Sequence, residues 1–177
     1  MKEIIANGEK IVIRKAVPSD AKAMLEFVHT IAGESDFLTF GVGEFEKTIE
    51  EEKVFIESTL GKDNVLFIIA EIKGKVIGNL SFTGGFRSRT AHTGEFGVSV
   101  LKEYWGNGIG EALIKYLIDW SKVSGIVKKI NLRARVDNIR GISLYKKLGF
   151  LEEGIITRDF FVNGKFYDSL QMGLCID

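Results

Sequence analysis

The chain has 177 residues, 45% of them hydrophobic, and its 24 Lys and Arg offset 24 Asp and Glu to a formal charge of zero. That is the size of one domain with a real core and not of two, and a balance without a dense basic run argues against nucleic acid or a membrane as partner. The single Cys175 excludes an internal disulfide and reads as a packed residue of a C-terminal strand.

Residues 1–14 lack the continuous apolar core of a signal peptide, and no apolar run approaches ~18 residues. A cytoplasmic location is therefore expected. Residues 10–14 alternate as a short strand. Pro18 marks the start of a helix that Ser19 or Asp20 can cap and that carries Met24, Leu25 and Val28 on one face. His29 follows on that helix as a half-buried residue. Phe45, Ile49, Phe55 and Ile56 mark a second helix inside a glutamate-rich stretch. Residues 66–71 and 76–82 read as strands joined by a hairpin at Lys73-Gly74-Lys75, and residues 94–100 as a further strand.

That strand leads into the most informative segment. Residues 98–110 read Val-Ser-Val-Leu-Lys-Glu-Tyr-Trp-Gly-Asn-Gly-Ile-Gly, and Ile109, Ala112, Leu113, Tyr116, Leu117 and Trp120 then recur at helical spacing until Gly125. A strand thus runs through a glycine-rich turn into a helix N-terminus. The free N–H groups of such a first turn carry roughly half a positive charge, and glycine lets an anion approach the backbone closely. A coenzyme with a pyrophosphate is the first expectation. A Walker loop fails, because Glu111 follows Gly110 where Lys is needed. A dinucleotide fingerprint fails too, since Gly106, Gly108 and Gly110 alternate and leave Glu111 at the third glycine position.

Farther along, Ile130, Leu132, Ala134 and Val136 alternate with Asn131, Arg133, Arg135 and Asp137, a strand with one core face and one polar face. Asn138 caps the next helix. The last ~25 residues hold two strands joined at Asn163-Gly164, the dipeptide favoured by type I′ hairpins.

Two segments carry a family resemblance. Trp105-Gly-Asn-Gly108-Ile-Gly110 resembles the coenzyme A loop, Arg/Gln-x-x-Gly-x-Gly/Ala, of the GNAT superfamily of N-acetyltransferases, with Trp105 in place of the polar first residue. Asn138-Ile-Arg-Gly-Ile-Ser-Leu-Tyr145-Lys-Lys-Leu-Gly149-Phe150 is similar to the family's Asn-x-x-Ala/Gly-x-x-Leu-Tyr-x-x-x-Gly-Phe segment, nearly position for position. The helix and strand between them supply the family's order of elements. The resemblance implies a single α/β domain over residues 1–177, with a mixed, mostly antiparallel central sheet flanked by about four helices.

It also implies a reaction: transfer of an acetyl group from acetyl-CoA, as cosubstrate, to a primary amine on a small molecule or a peptide. Tyr145 stands at the family position of the general acid that protonates the departing thiolate. Glu95 precedes the glycine loop by about the interval at which some members place a catalytic base. Gly106, Asn107, Gly108, Ile109, Gly110 and Glu111 would hold the diphosphate through their backbone, Asn138 would touch the pantetheine arm, and main-chain groups of Val98 and Val100 would meet the thioester and the pantetheine amide.

Only a neutral amine attacks a thioester. A lysine-type amine near pKa 10.4 is neutral about once in ~2,500 molecules at pH 7, a cost of roughly 4.6 kcal/mol, against about 1 kcal/mol for an α-amino group near 7.8. A base such as Glu95 therefore matters most for alkylamines, and His92, just before it, is one reading of a proton relay. No His/Cys cluster has metal-ligand spacing, so no metal is expected. Glu44, Glu46, Glu50, Glu51 and Glu52 suggest an acidic rim for a cationic acceptor. Residues 159–161 and 166–168 would form the opposite wall. A catalytically silent acyl-CoA-binding module is the alternative, which would need neither Glu95 nor Tyr145. A homodimer through the C-terminal strands is a further expectation.

Overall fold

The computed structural model describes residues 1–6 and 8–177. The apolar alternation builds one sheet from β1 (Lys2–Ala6), β2 (Glu9–Lys15), β3 (Val65–Ile72), β4 (Lys75–Gly84), β5 (Thr93–Val100), β6 (Lys129–Arg135), β7 (Leu151–Val162) and β8 (Lys165–Cys175). The helices are α1 (Ala21–Ala32), α2 (Ile49–Thr59), α3 (Ile109–Ser124) and α4 (Ile139–Lys147). Strand order is β1-β2-β3-β4-β5-β6-β8-β7. Among the described residues β5 and β6 form the one parallel pair, so the sheet is mixed and mostly antiparallel, as expected.

The chemistry of the site depends on how the two faces are covered. Residues paired across strands share a face, so Phe67, Ser81 and Gly97 lie on one side of the sheet with Glu95 and Ser99. There α2 packs, Phe55 meeting Phe67 edge-on at 5.6 Å. Leu80, Phe82, Phe96 and Val98 point to the other side, where Phe82 meets Trp120 of α3 at 5.9 Å and Phe96 meets Tyr145 of α4 at 6.0 Å. The core is therefore two layers divided by the sheet.

Several expectations change in detail. Lys2–Ala6 is a strand that its own weak alternation did not announce, and it forms against β2 in the register Lys2↔Ile13. Phe45 precedes α2 and is not on it, because Thr48 starts the helix with a reciprocal cap: Glu51 N–H donates to Thr48 Oγ1 at 3.2 Å, and Thr48 N–H donates to Glu51 Oε2 at 2.8 Å. His29 is exposed, since Met24, Leu25 and Val28 take the buried face of α1 and the helical period turns His29 away. Cys175 is exposed for the same kind of reason, because Leu170 and Met172 occupy the inward parity of β8. Both hairpin turns match: Lys73 and Gly74 have φ of 50° and 85°, and Asn163 and Gly164 have 52° and 76°. No helix among the described residues is long and apolar enough to cross a membrane.

The start of α1 is tied to the sheet by one arginine. Arg14 on β2 donates to both oxygens of Asp20 at 2.7 and 2.8 Å and to Glu71 of β3 at 2.7 Å, while Asp20 also accepts the Val17 N–H at 2.8 Å. Burial pushes the Asp20 carboxyl up, but the Arg14 guanidinium and the Val17 N–H outweigh it and hold the group below its ordinary range. Asp20→Asn is expected to cost about 1–3 kcal/mol at neutral pH. A carboxyl with a depressed native pKa stabilises above its unfolded pKa and loses that contribution as pH falls through the native one, so the gap between variant and wild type closes on acidification. Urea unfolding at neutral and acid pH measures it.

Candidate active site

β5 and β6 pair over three residues only, Thr93↔Lys129, Gly94↔Ile130 and Glu95↔Asn131, and then part. Each keeps its other neighbour: β5 follows β4 to Val100, and β6 follows β8 to Arg135. The main-chain pattern shows which groups face the fork. Leu101 N–H donates to Ile77 O at 2.9 Å and Thr93 O accepts from Gly85 N–H at 3.0 Å, so odd-numbered residues of β5 bond to β4. Val98 and Val100 therefore direct their N–H and C=O into the fork. A cleft of about 970 Å³ runs through it, reached by Glu95 from one face and Tyr145 from the other.

At the upper end of the fork the glycine turn opens α3. Gly106 and Gly108 have φ of 86° and 76°, a left-handed backbone that only glycine adopts without strain. The first intrahelical bond is Ala112 N–H to Gly108 O at 2.9 Å. Among the described residues, the six consecutive N–H groups from Gly106 to Glu111 have no protein acceptor. They lie at the positive end of a 16-residue helix, where an oxyanion is favoured. A Cβ on Gly110 would make only ordinary contacts, 3.8 Å from Leu144 Cδ2 and 4.0 Å from Val100 Cγ2.

Trp105 has a definite task here. Its indole N–H donates to Val100 O at 2.6 Å, closing the end of β5 onto the turn, and the Arg140 guanidinium lies 5.5 Å from the ring centroid. Of the predicted coenzyme residues, Val98, Val100, Gly106, Gly108, Ile109, Gly110, Glu111 and Asn138 line the cleft. Asn107 departs from them: its side chain turns back to pin the loop, Nδ2 donating to Tyr104 O at 3.1 Å. The Glu111 carboxylate pairs with Lys115 and Lys147, which hold it down to about 2 and link α3 to α4. Its backbone, and not its side chain, is what the turn can offer an anion. Sequence reading missed Arg140, a cation on the cleft wall beside the turn; a charged residue two places after the helix cap was its only signal.

Asn138 caps α4, its Oδ1 accepting Gly141 N–H at 3.0 Å, and its Nδ2 has no protein acceptor among the described residues. Two turns farther on, Tyr145 is wedged between Phe96 and Phe150, at 6.0 and 6.1 Å. Burial pushes its phenol up to about 12. Among the described residues nothing hydrogen-bonds its hydroxyl, and the residue lines the cleft. Such a group keeps its proton at every physiological pH.

On the opposite face Glu95 Oε1 accepts from Arg133 Nε at 3.1 Å, and Arg133 Nη1 donates to Asp159 at 3.0 Å. The bond to Glu95, then burial working against it and the remaining acidic charge, leave Arg133 with a raised pKa and a permanent positive charge. His92 is exposed and off the cleft wall, and among the described residues its imidazole makes no hydrogen bond to Glu95. The wall above comes from the segment between α1 and α2, latched at two points. Glu34 accepts Lys102 N–H at 2.7 Å, and the nearly buried Arg135 donates to Asp36 O at 2.9 Å while lying 4.9 Å from the Phe37 ring and 3.7 Å from that of Tyr167.

The expected acidic rim is largely absorbed by local structure. Glu44 accepts Gly41 N–H, Glu50 pairs with Lys53 and Glu51 caps α2, which leaves Glu52 and Glu34 of that stretch on the cleft. The opposite wall also narrows to Phe160, because Phe161 and Phe166 stack on each other at 4.8 Å, Tyr167 covers Arg135, and Asp168 accepts Arg158 N–H.

These features agree with what the chain resembles. Residues 27–150 match the model of the acetyltransferase (GNAT) family, and the chain belongs to that family. It is 26% identical over 150 residues to spermidine N(1)-acetyltransferase of Vibrio cholerae, covering 84% of this chain and 85% of that one. It is 32% identical over 105 residues to an L-amino acid N-acetyltransferase of Escherichia coli, covering 59% and 65%. The crystal structure of a GNAT-family acetyltransferase from Streptococcus pneumoniae superposes with a TM-score of 0.91 at 32% identity, over 94% of this chain and 99% of that one. The protein is an amino-group acyltransferase with the single α/β fold of its family.

Gly108 at the helix cap and Gly110 within the first turn of α3 separate by experiment. Gly108→Ala places a Cβ on a left-handed backbone at about 1–2 kcal/mol and should weaken coenzyme A binding roughly tenfold. Gly110→Ala, meeting only ordinary contacts, should weaken it far less. Isothermal titration with coenzyme A reads both.

Proposed function

We propose that the protein transfers the acetyl group of acetyl-CoA directly to a primary amine, with Tyr145 as general acid and Glu95 as base. The observation that carries this reading is the run of six unpaired N–H groups from Gly106 to Glu111, which opens onto the same cleft as the free Tyr145 hydroxyl. The amides and the α3 N-terminus suit a diphosphate, with Arg140 as added counter-charge. The fork suits a pantetheine arm, for which Val98 and Asn138 Nδ2 offer strand-like hydrogen bonds.

Glu95 then takes the proton from the attacking nitrogen, directly or through water, and the Val98 or Val100 N–H donates to the carbonyl oxygen as negative charge builds there. As the carbon–sulfur bond breaks, Tyr145 gives its proton to the leaving sulfur. With the phenol at about 12 and a thiol near 8.5, that transfer is uphill by roughly 5 kcal/mol. Tyr145 must therefore donate its hydrogen bond while the bond is breaking and complete the transfer as the sulfur gathers charge. A silent binding module has no use for a tyrosine hydroxyl at this point of the cleft.

Acetyl-CoA is expected to raise the melting temperature, and amines to accelerate thiol release. Tyr145→Phe should lower kcat by about a hundredfold or more while acetyl-CoA affinity stays within about twofold. Equal losses in both would remove Tyr145 from the chemistry. Glu95→Gln should reduce kcat/KM more for an alkylamine than for an α-amine, because the former depends on the base for nearly all of its neutral form. A panel of amines assayed by thiol release measures the difference.

A further inference from the structure

Lys47 presents a primary ammonium inside the acceptor half of the cleft. Its Nζ is 3.2 Å from Glu52 Oε2, 4.2 Å from the centroid of the Phe55 ring and 5.0 Å from that of Phe45. Glu52 is 2% exposed, and all four residues line the cleft that also holds Glu95 and Tyr145. Phe55 is braced by Phe67 at 5.6 Å and Phe45 by Phe40 at 5.3 Å, so the rings that face the cation are held by others behind them. A carboxylate this deep requires a cation, and ring faces favour an ammonium over a neutral group.

The occupant is the movable part. Lys47 lies in the irregular stretch before the Thr48 cap, so its side chain can leave without unwinding a helical turn, whereas Glu52 belongs to the first turns of α2. We propose that Glu52, Phe45 and Phe55 form an ammonium subsite of the acceptor cleft, that Lys47 fills it from within the chain, and that an acceptor carrying a second cationic group displaces this lysine. The proposal rests on the acetyl-transfer reading and adds to it the acceptor class: diamines and polyamines. Exchange of one cation for another keeps the buried carboxylate neutralised. A monoamine has nothing to place there once its reacting nitrogen sits at Glu95. An acceptor anchored at both ends competes with the tethered lysine on equal terms, because its second ammonium also binds intramolecularly.

The test compares 1,4-diaminobutane and spermidine with propylamine, by thiol release at saturating acetyl-CoA, in the wild type, Lys47→Ala and Glu52→Gln. The ratio of kcat/KM for diamine over monoamine should rise about fivefold in Lys47→Ala and fall about tenfold in Glu52→Gln. 1,4-Diaminobutane should also raise the melting temperature of Lys47→Ala well beyond its effect on the wild type, since it restores a partner to Glu52. Variants that shift both amine classes alike, together with no diamine-specific rise in melting temperature, overturn the subsite and leave a structural ion pair. If no amine releases thiol, the acetyl-transfer reading fails, and the melting measurements still decide the subsite. Should Glu52→Gln not fold, Lys47→Ala carries the test alone.

Discussion

The parting of β5 and β6 after three residue pairs is the constraint on which the rest of the protein depends. Each strand has a full antiparallel neighbour on its far side, so the sheet consists of two well-paired halves joined by a short seam. Past the seam, main-chain donors and acceptors point into a cleft where no strand meets them. Unpaired backbone polarity of this kind is costly to bury, and it persists where solvent or a ligand can satisfy it. Trp105 covers one of these groups, the carbonyl of Val100, and in doing so ties the end of β5 to the glycine turn.

The two sides of the sheet then contribute different things. The α3–α4 side supplies backbone N–H groups, a capping amide and a half-buried tyrosine, presented by α3 and α4. The α1–α2 side supplies the carboxylates and aromatic rings, and its irregular segment is held down by Glu34 on the backbone of Lys102 and by Arg135 between Phe37 and Tyr167. Asp137 chelates that same guanidinium at 2.6 and 3.0 Å, so its orientation is fixed from within β6 and the turn that follows it as well as by the loop. Conserving the shape of the acceptor wall therefore falls to a strand residue, not to the loop itself.

Much of this could be read from the chain. Strict alternation at Ile130, Leu132 and Ala134, helical spacing from Ile109 to Trp120, and Asn163-Gly164 at a hairpin are local signals, and local signals survive folding. The glycine turn was legible because its glycines sit where a strand meets a helix. What could not be read depends on partners distant in sequence. β1 exists because β2 is beside it, and the acidic stretch loses its field because its neighbours cap, pair and bury the carboxylates one by one. Phe45 matched the helical period and still fell outside α2, since a reciprocal hydrogen bond between Thr48 and Glu51 outranks an apolar stripe in setting a helix start. The use of Trp105 was invisible for the same reason: it is defined by a carbonyl on another element.

Tyr145 and Glu95 stand on opposite sides of one sheet and meet only through the slot between its halves. On the proposed chemistry, the acyl donor and the nucleophile therefore approach the reacting carbon from opposite faces of the sheet, so both can be held in one cleft at once and the acetyl group can pass between them without a covalent stop on the protein.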